Sequence, residues 1–174
     1  MDLASFHEAA LAYLARRPAS AAQMVRVLER RARRAGVELA DAQETIRGVV
    51  ARLVEVGLVD DAAFAASRVR RLGEGGKSTR AIAAHLAAKG VSAEVARAAL
   101  SRDGDPDLDA ALQLARKRRF GPFARDDAPP DRATEHKILG VFARAGFDRR
   151  TAERALRMAR DEAERRLEAR RGLS

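Results

Sequence analysis

The sequence predicts an all-α protein, built as an elongated array of three tandem three-helix repeats. Ala, Leu, Arg and Glu dominate the 174 residues and only 4% are aromatic, a composition that favours helix over sheet. Ser or Asp at helix starts and Gly at helix ends recur along the chain at intervals that fit short helices. The order of these signals also recurs, which predicts tandem units.

The first repeat is expected at residues 1–59 and carries three helix signals. One is an apolar pattern at helical spacing before a proline, and two are polar starts that each lead to a glycine. In order they are Leu3 to Leu14 before Pro18, the capping-box pattern Ser20-Ala21-Ala22-Gln23 before Gly36, and Asp41-Ala42-Gln43-Glu44 before Gly57.

A short segment connects this repeat to the next. Gly57 can adopt the left-handed turn that ends a helix, and Leu58 and Val59 are expected to fold back onto that helix. Asp60 or Asp61 can accept hydrogen bonds from the first N–H groups of the following helix. An acid pair could also serve in acid–base catalysis or bind a hard cation, but no other ligand lies at the required spacing. We therefore assign the pair to capping.

The second repeat is expected at residues 60–104 and the third at 105–174. The helix signals of the second are Asp60 to Gly73, Ser78 to Gly90 and Ser92 to Leu100. Those of the third are Asp105-Pro106 to Phe120, Asp131 or Thr134 to Gly146, and Asp148 onward with Ala159 and Ala163 facing inward. A loop is expected at 121–131 and a frayed tail after Arg165. The last two helices of these repeats align without gaps, because ten residues separate Gly90 from Leu100 and Gly146 from Leu156.

The chain is strongly basic, with a formal charge of +9 and a pI near 11.1. The excess is spread over all three repeats, which favours a long anionic partner such as nucleic acid or a nucleoprotein assembly. A solvated Arg-rich surface is the alternative. The absence of Cys excludes disulfides, and neither an apolar run of bilayer length nor an export signal is present, so we expect a cytoplasmic protein.

The candidate binding residues are basic side chains at helix ends and connections. They are Arg68, Arg70, Arg71, Lys77, Arg80, Lys89, Arg116, Lys117, Arg118, Arg119 and Arg125. A solvated helix face is the alternative for each of them. By contrast, Arg30, Arg31, Arg33 and Arg34 are expected to form a solvated last helical turn, where positive charge suits the helix dipole.

The sequence gives no sign of an enzyme, a cofactor site or a metal site. Gly75-Gly76-Lys77-Ser78 resembles the end of a phosphate-binding loop but lacks the preceding strand and the upstream glycine. His7, His85 and His136 are too scattered to form a metal cluster. Phe120 and Phe123 could stack on bases, but we expect them to pack beneath the nearby loop.

The order of these signals resembles the RecX family of bacterial recombination regulators over nearly the whole chain. The matching segments are Ala10-Leu11-Ala12-Tyr13-Leu14-Ala15-Arg16-Arg17 with Ser20, Gly57-Leu58-Val59-Asp60-Asp61 with Phe64-Ala65, Lys77-Ser78 leading to Lys89-Gly90-Val91-Ser92 and Ala99-Leu100, and Ala143-Arg144-Ala145-Gly146-Phe147-Asp148 with Ala155-Leu156.

The resemblance implies a non-enzymatic, monomeric, cytoplasmic regulator in DNA repair, homologous recombination and the SOS response. Its partner would be the RecA recombinase and its filament on DNA, where it would inhibit ATP hydrolysis, strand exchange and filament growth. Weaker binding to single- and double-stranded DNA would accompany this. The alternative is a helix-turn-helix-like DNA-binding regulator acting on duplex DNA, although no helix carries the Asn, Gln and Arg set that reads base edges.

Overall fold

The computed structural model describes residues 2–101, 103–125 and 130–171, and within these ranges the chain forms helices and no β-strand. The α-helices are α1 (Leu3–Leu14), α2 (Ala21–Arg34), α3 (Leu39–Glu55), α4 (Asp61–Glu74), α5 (Thr79–Lys89), α6 (Ala93–Leu100), α7 (Pro106–Arg118), α8 (Arg132–Arg144), α9 (Arg149–Arg157) and α10 (Arg160–Arg171). A short 3-10 helix spans Gly121–Phe123. The predicted all-α class is confirmed. No helix in this part of the chain has both the length and the apolar character of a membrane span.

The chain packs as two compact units. Unit 1 comprises Met1–Ser67 and His85–Ala99, and unit 2 comprises Arg68–Ala84 and Leu100–Ser174. Helices α4 and α5 therefore contribute residues to both. Units are defined by packing and repeats by sequence similarity, so the division into two units does not test the predicted division into three repeats. The repeat boundaries after residues 59 and 104 stay a prediction.

Unit 1 is built around α2 and α3, which pack against each other and against α1. The inward faces of these three helices carry large apolar side chains that are at most 1% exposed: Phe6, Met24, Leu28, Ile46 and Leu53. Each such burial contributes about 1.5–3 kcal/mol to the hydrophobic driving force. The periodicity read from the sequence therefore places the core of this unit correctly.

Unit 2 is built around α7, which packs against α9 and α10. Leu108, Leu112, Phe142 and Leu167 are at most 1% exposed in its core. The ring centroids of Phe142 and Phe147 lie 5.9 Å apart, and the two rings are tilted against each other. Aromatic pairs favour this kind of arrangement. Phe120 and Phe123 are partly buried against the same core, as expected from their sequence context.

Most helix starts follow the local signals in the sequence. Ser20, Asp60, Ser78, Ser92, Asp105, Asp131 and Asp148 each accept a hydrogen bond from the backbone N–H three residues later. Of the two residues proposed to start α8, Asp131 is the cap, and the Thr134 N–H donates to it. Gly36 and Gly57 have φ of 71° and 73°, so both end their helices in the left-handed region as predicted.

Three details of the first repeat differ from the prediction. Helix α3 begins at Leu39 after Glu38, whose side chain makes no capping bond, so Asp41 lies inside the first turn. Gln23 does not complete a reciprocal capping box, because its Oε1 accepts no hydrogen bond from the described residues, while its Nε2 donates to the Tyr13 hydroxyl at 2.8 Å. The Leu58 and Val59 N–H groups both fold back onto the Leu53 carbonyl, at 2.9 and 3.1 Å, and Val59 is buried, but the Leu58 side chain is 53% exposed.

The C-terminal segment also differs from the prediction. Helix α9 ends at Arg157, and Met158 is extended with ψ 143°, which separates α9 from α10. Ala159 is exposed, whereas Ala163 and Leu167 of α10 are at most 1% exposed. The predicted frayed tail is therefore a packed helix as far as the structure describes it. Residues 172–174 and, in the predicted loop, residues 126–129 lie outside the described part.

A joint in unit 1 caps α2 twice. Ser20 Oγ accepts from the Gln23 N–H and donates to the Lys89 carbonyl at 2.5 Å. Asp61 Oδ1 accepts from the Ala21 N–H at 2.8 Å, so the second acid of the Asp60–Asp61 pair caps a helix 40 residues away. Because Ser20 is fully buried, its hydroxyl depends on these partners for hydrogen bonding.

A joint of the same design occurs within unit 2 at the start of α5. Ser78 Oγ accepts from the Ala81 N–H, and the Ser78 N–H donates to the Ala145 carbonyl at 3.1 Å. Asp107 accepts from the Thr79 N–H at 2.7 Å and from its hydroxyl at 3.1 Å. In both joints a buried serine and a distant aspartate close the start of one helix.

Asp61→Ala is expected to destabilise unit 1 by about 1 kcal/mol, because the Ala21 N–H loses its carboxylate acceptor. Native-state hydrogen exchange should show faster exchange of the Ala21 amide, and urea unfolding gives the stability change. Asp41→Ala is the matched control, since Asp41 is an exposed acid in the first turn of α3. Unchanged Ala21 exchange in Asp61→Ala would contradict the long-range cap.

Candidate anion-binding site

Most of the eleven basic residues predicted from the sequence occupy helix ends and turns, but Arg68 and Arg70 lie within α4. Eight are exposed: Arg70, Arg71, Lys77, Arg80, Lys117, Arg118, Arg119 and Arg125. Three are partly buried: Arg68, Lys89 and Arg116. Lys89 belongs to unit 1 and the other ten belong to unit 2. Arg119 ends α7 in the left-handed region with φ 59°, an uncommon conformation for a residue with a Cβ.

Unit 2 contains a groove of about 380 Å³ that gathers three of these residues. Its lining comes from the turn between α4 and α5 and from the C-terminal ends of α7 and α8. Four of the lining side chains are basic, and we call this feature the basic groove: Lys77, Lys117, Arg118 and Arg144. None of the described residues that line it is acidic.

The four basic side chains are exposed, and none is in an ion pair with the part of the chain that the structure describes. The groove also receives the negative dipole ends of α7 and α8, which together amount to about one negative charge. About three positive charges therefore remain uncompensated. Such a site attracts anions.

Backbone N–H groups at the turn beside the groove are already engaged within the protein. The Gly75, Gly76 and Lys77 N–H groups donate to carbonyls of α4 at 2.9–3.0 Å, and the Ser78 N–H donates to Ala145. Gly76 also has no room for a side chain, because a Cβ built on it would lie 2.8 Å from Leu114 Cβ. An anion in the groove would thus meet side-chain charges rather than a cradle of backbone amides.

Other arginines of unit 2 are ion-paired and support the fold. Arg154 Nη1 donates to Asp105 Oδ2 at 2.8 Å, and Arg166 and Arg170 both pair with Asp109. Burial alone would raise the pKa of Asp105, but the Leu108 N–H and the Arg154 guanidinium outweigh it and lower that pKa. These pairs fasten α9 and α10 to α7, so their charges are not available to a ligand.

Arg144 is the one basic residue of the groove that is not among the candidates predicted from the sequence. Gly146 places Arg144 in the last turn of α8, but no local pattern indicates that this turn meets the α4–α5 turn. The link is the hydrogen bond from Ser78 N–H to Ala145, which joins residues 67 positions apart. The remaining eight predicted residues do not line the groove.

A second cavity in unit 2, of about 250 Å³, lies between α8 and α9 and is lined mainly by apolar groups. His136, Asp148 and Arg149 at its edge are exposed. The Asp148 carboxylate caps α9 by accepting a hydrogen bond from the Thr151 N–H, and this bond holds the pKa of Asp148 below its usual value. Among the described residues, no group of three or more His, Cys, Asp or Glu side chains could hold a metal ion.

The helices and the groove define the class: a helical protein of tandem three-helix repeats with a concentrated cationic surface. Residues 60–100 match the family model described as RecX, second three-helix domain. The chain is 40% identical over 145 residues to Regulatory protein RecX of Myxococcus xanthus (strain DK1622), covering 80% of this chain and 77% of that protein. The protein described here belongs to the RecX family of regulatory proteins.

A second relative supports this membership. Regulatory protein RecX of Agrobacterium fabrum (strain C58 / ATCC 33970) is 36% identical over 157 residues, covering 89% of this chain and 83% of that protein. The match at residues 60–100 also fits the prediction of a tandem three-helix order.

Two solved structures share the fold. The crystal structure of RecX from Lactobacillus salivarius superposes with a TM-score of 0.63 at 21% identity, covering 96% of this chain and 97% of that one. A crystal structure of regulatory protein RecX gives the same TM-score at 24% identity, covering 87% and 70%. The all-helical architecture is therefore one found in solved RecX structures.

Proposed function

We propose that this protein is a non-enzymatic regulator that binds the RecA recombinase and its filament on DNA, and that it inhibits ATP hydrolysis, strand exchange and filament growth. The observation that carries the proposal is membership in the RecX family, whose relatives above are named regulatory proteins. RecA as the partner follows from the family resemblance. In this proposal the protein acts as a cytoplasmic monomer in recombinational DNA repair and the SOS response.

Charge supports the proposal physically. A filament on DNA presents repeated phosphates, and the chain carries a formal charge of +9 with most candidate basic residues exposed. Many modest charged contacts give binding that weakens as salt rises, because counterions are released on association. Direct binding to single- and double-stranded DNA is weaker in this proposal, since it lacks the protein contacts of the filament.

The test is the rate of ATP hydrolysis by RecA on single-stranded DNA as the protein is titrated in. The rate is expected to fall, and co-sedimentation with filaments should weaken across a salt series. A variant with R116Q, K117Q, R118Q and R119Q should bind filaments less well. The matched control is R30Q, R31Q, R33Q and R34Q, which removes the same charge from exposed arginines of α2.

An unchanged rate of ATP hydrolysis at saturating protein would refute the proposal. If the protein instead bound one duplex sequence much more tightly than others in moderate salt, the helix-turn-helix alternative would replace it. Equal affinity for unrelated duplexes counts against that alternative, because base readout would produce discrimination.

A further inference from the structure

We propose that the basic groove of unit 2 binds the phosphodiester backbone of nucleic acid, through Lys77, Lys117, Arg118 and Arg144. This inference rests on the proposed function, because it names the groove as the place where the regulator contacts the DNA of the filament. It assigns one groove, formed by three segments, in place of a diffuse basic surface.

Charge and exposure point to an anionic ligand. All four basic side chains are exposed, and none of them is ion-paired within the described residues. Three further arginines of the same unit are paired with Asp105 and Asp109. The fold thus neutralises the arginines that hold α9 and α10 but leaves the four groove cations without an ion-pair partner among the described residues.

The composition of the lining favours nucleic acid over an acidic protein surface. Two of the four cations are lysines, which are depleted at protein interfaces, and no aromatic residue lines the groove in the described part of the chain. Among the described lining residues, Leu114 and Val141 are the only large apolar ones, which is little surface for an apolar anchor of a partner protein. Lysine and arginine side chains around an open groove suit a chain of phosphates.

The hydrogen bonding of the turn determines how the phosphates are recognised. Because the N–H groups of residues 75–78 are engaged within the protein, the groove lacks the amide cradle of a nucleotide-binding loop. Recognition depends on side-chain charge alone, which carries no base information. The groove therefore binds nucleic acid without regard to sequence.

The test measures the full-length protein by fluorescence anisotropy, without RecA, on a labelled oligo-dT strand and on a labelled duplex of equal length. The groove variant carries K77Q, K117Q, R118Q and R144Q. Its affinity is expected to fall about 10- to 100-fold, and its salt dependence should lose about 3 units of slope, as four lost phosphate contacts predict. Inorganic phosphate is added as a competitor to detect a site for free anions.

The control is the R30Q, R31Q, R33Q and R34Q variant, which removes the same four charges elsewhere. Equal loss of affinity in both variants would overturn the proposal, since net charge would then account for binding. The proposal would also be overturned if the groove variant kept full affinity for both the oligo-dT strand and the duplex. Full displacement of DNA by millimolar phosphate would overturn it as well. Circular dichroism and urea unfolding of both variants confirm that the fold is intact, which exposed positions permit.

The two proposals fail in different assays. If the groove variant and the unaltered protein bind DNA with equal affinity, and the unaltered protein still lowers RecA-driven ATP hydrolysis, the groove inference is wrong and the regulatory function stands. If DNA affinity falls in the groove variant but the unaltered protein leaves RecA activity unchanged, the groove is a nucleic-acid site and the regulatory function is wrong.

Discussion

Gly146→Ala is expected to destabilise unit 2 by about 3 kcal/mol, combining a backbone cost of about 1–2 kcal/mol with an overpacking cost of similar size. Gly146 has φ 97°, a conformation that side chains disfavour. A Cβ built there would collide with Ser78 Oγ and lie 2.8 Å from Ala81 Cβ. The clash falls on the hydroxyl that caps α5. Urea unfolding followed by circular dichroism measures the loss.

The matched control is Gly104→Ala in the same unit. Gly104 has φ 83°, but nothing lies within 4 Å of a Cβ built on it. Only the backbone cost of about 1–2 kcal/mol is expected. Equal losses for the two variants would mean that the joint between the α4–α5 turn and the end of α8 tolerates a methyl group, contrary to the close packing described here.

Leu167→Ala is expected to cost about 2–4 kcal/mol, because the side chain is 1% exposed in the core of unit 2. The result bears on the part of α10 after Arg165, where the sequence predicts a frayed tail. A docked helix loses packing and leaves a cavity, whereas a frayed helix would lose almost nothing. Thermal and urea unfolding of the full-length protein measure the difference.

Leu3→Ala provides the comparison for this change, since it removes the same atoms from a leucine that is 61% exposed on α1. Its expected effect is below about 0.5 kcal/mol. A cost for Leu167→Ala as small as that for Leu3→Ala would contradict the docking of α10 on α7.

Helix starts and ends were predictable where a single residue carries the information. A Ser or Asp side chain bonds an N–H three residues later, and a glycine ends the helix in the left-handed region, so both signals are local. The start of α3 was missed because nothing local marks it. Leu39 is partly buried against the core of unit 1, and that packing begins the helix two residues before Asp41.

The break between α9 and α10 shows the same limitation. No Gly or Pro marks it, and the segment was predicted as one helix. Partial burial of Met158 against the core accompanies the break, and Arg160 donates to the Pro122 and Ala124 carbonyls at the start of α10. These partners lie more than 30 residues away, so spacing along the chain could not reveal them.

The basic groove was predictable only in part. Lys77, Lys117 and Arg118 stood out as basic residues at helix ends, but so did eight others that lie outside the lining. Arg144 went unnoticed because a groove made by three distant segments leaves no periodic mark. Which cations are left unpaired is likewise decided by tertiary contacts such as Arg166 with Asp109.

The distant aspartates of the two joints have a consequence for how the chain is made. As the polypeptide leaves the ribosome, Ala21 emerges long before Asp61, and Thr79 well before Asp107. The hydrogen bonding of the first turn of α2 and of α5 is therefore complete only after the distant aspartate has been synthesised. Synthesis halted between such partners would leave an unfinished end, so maturation of each segment is tied to the arrival of its successor.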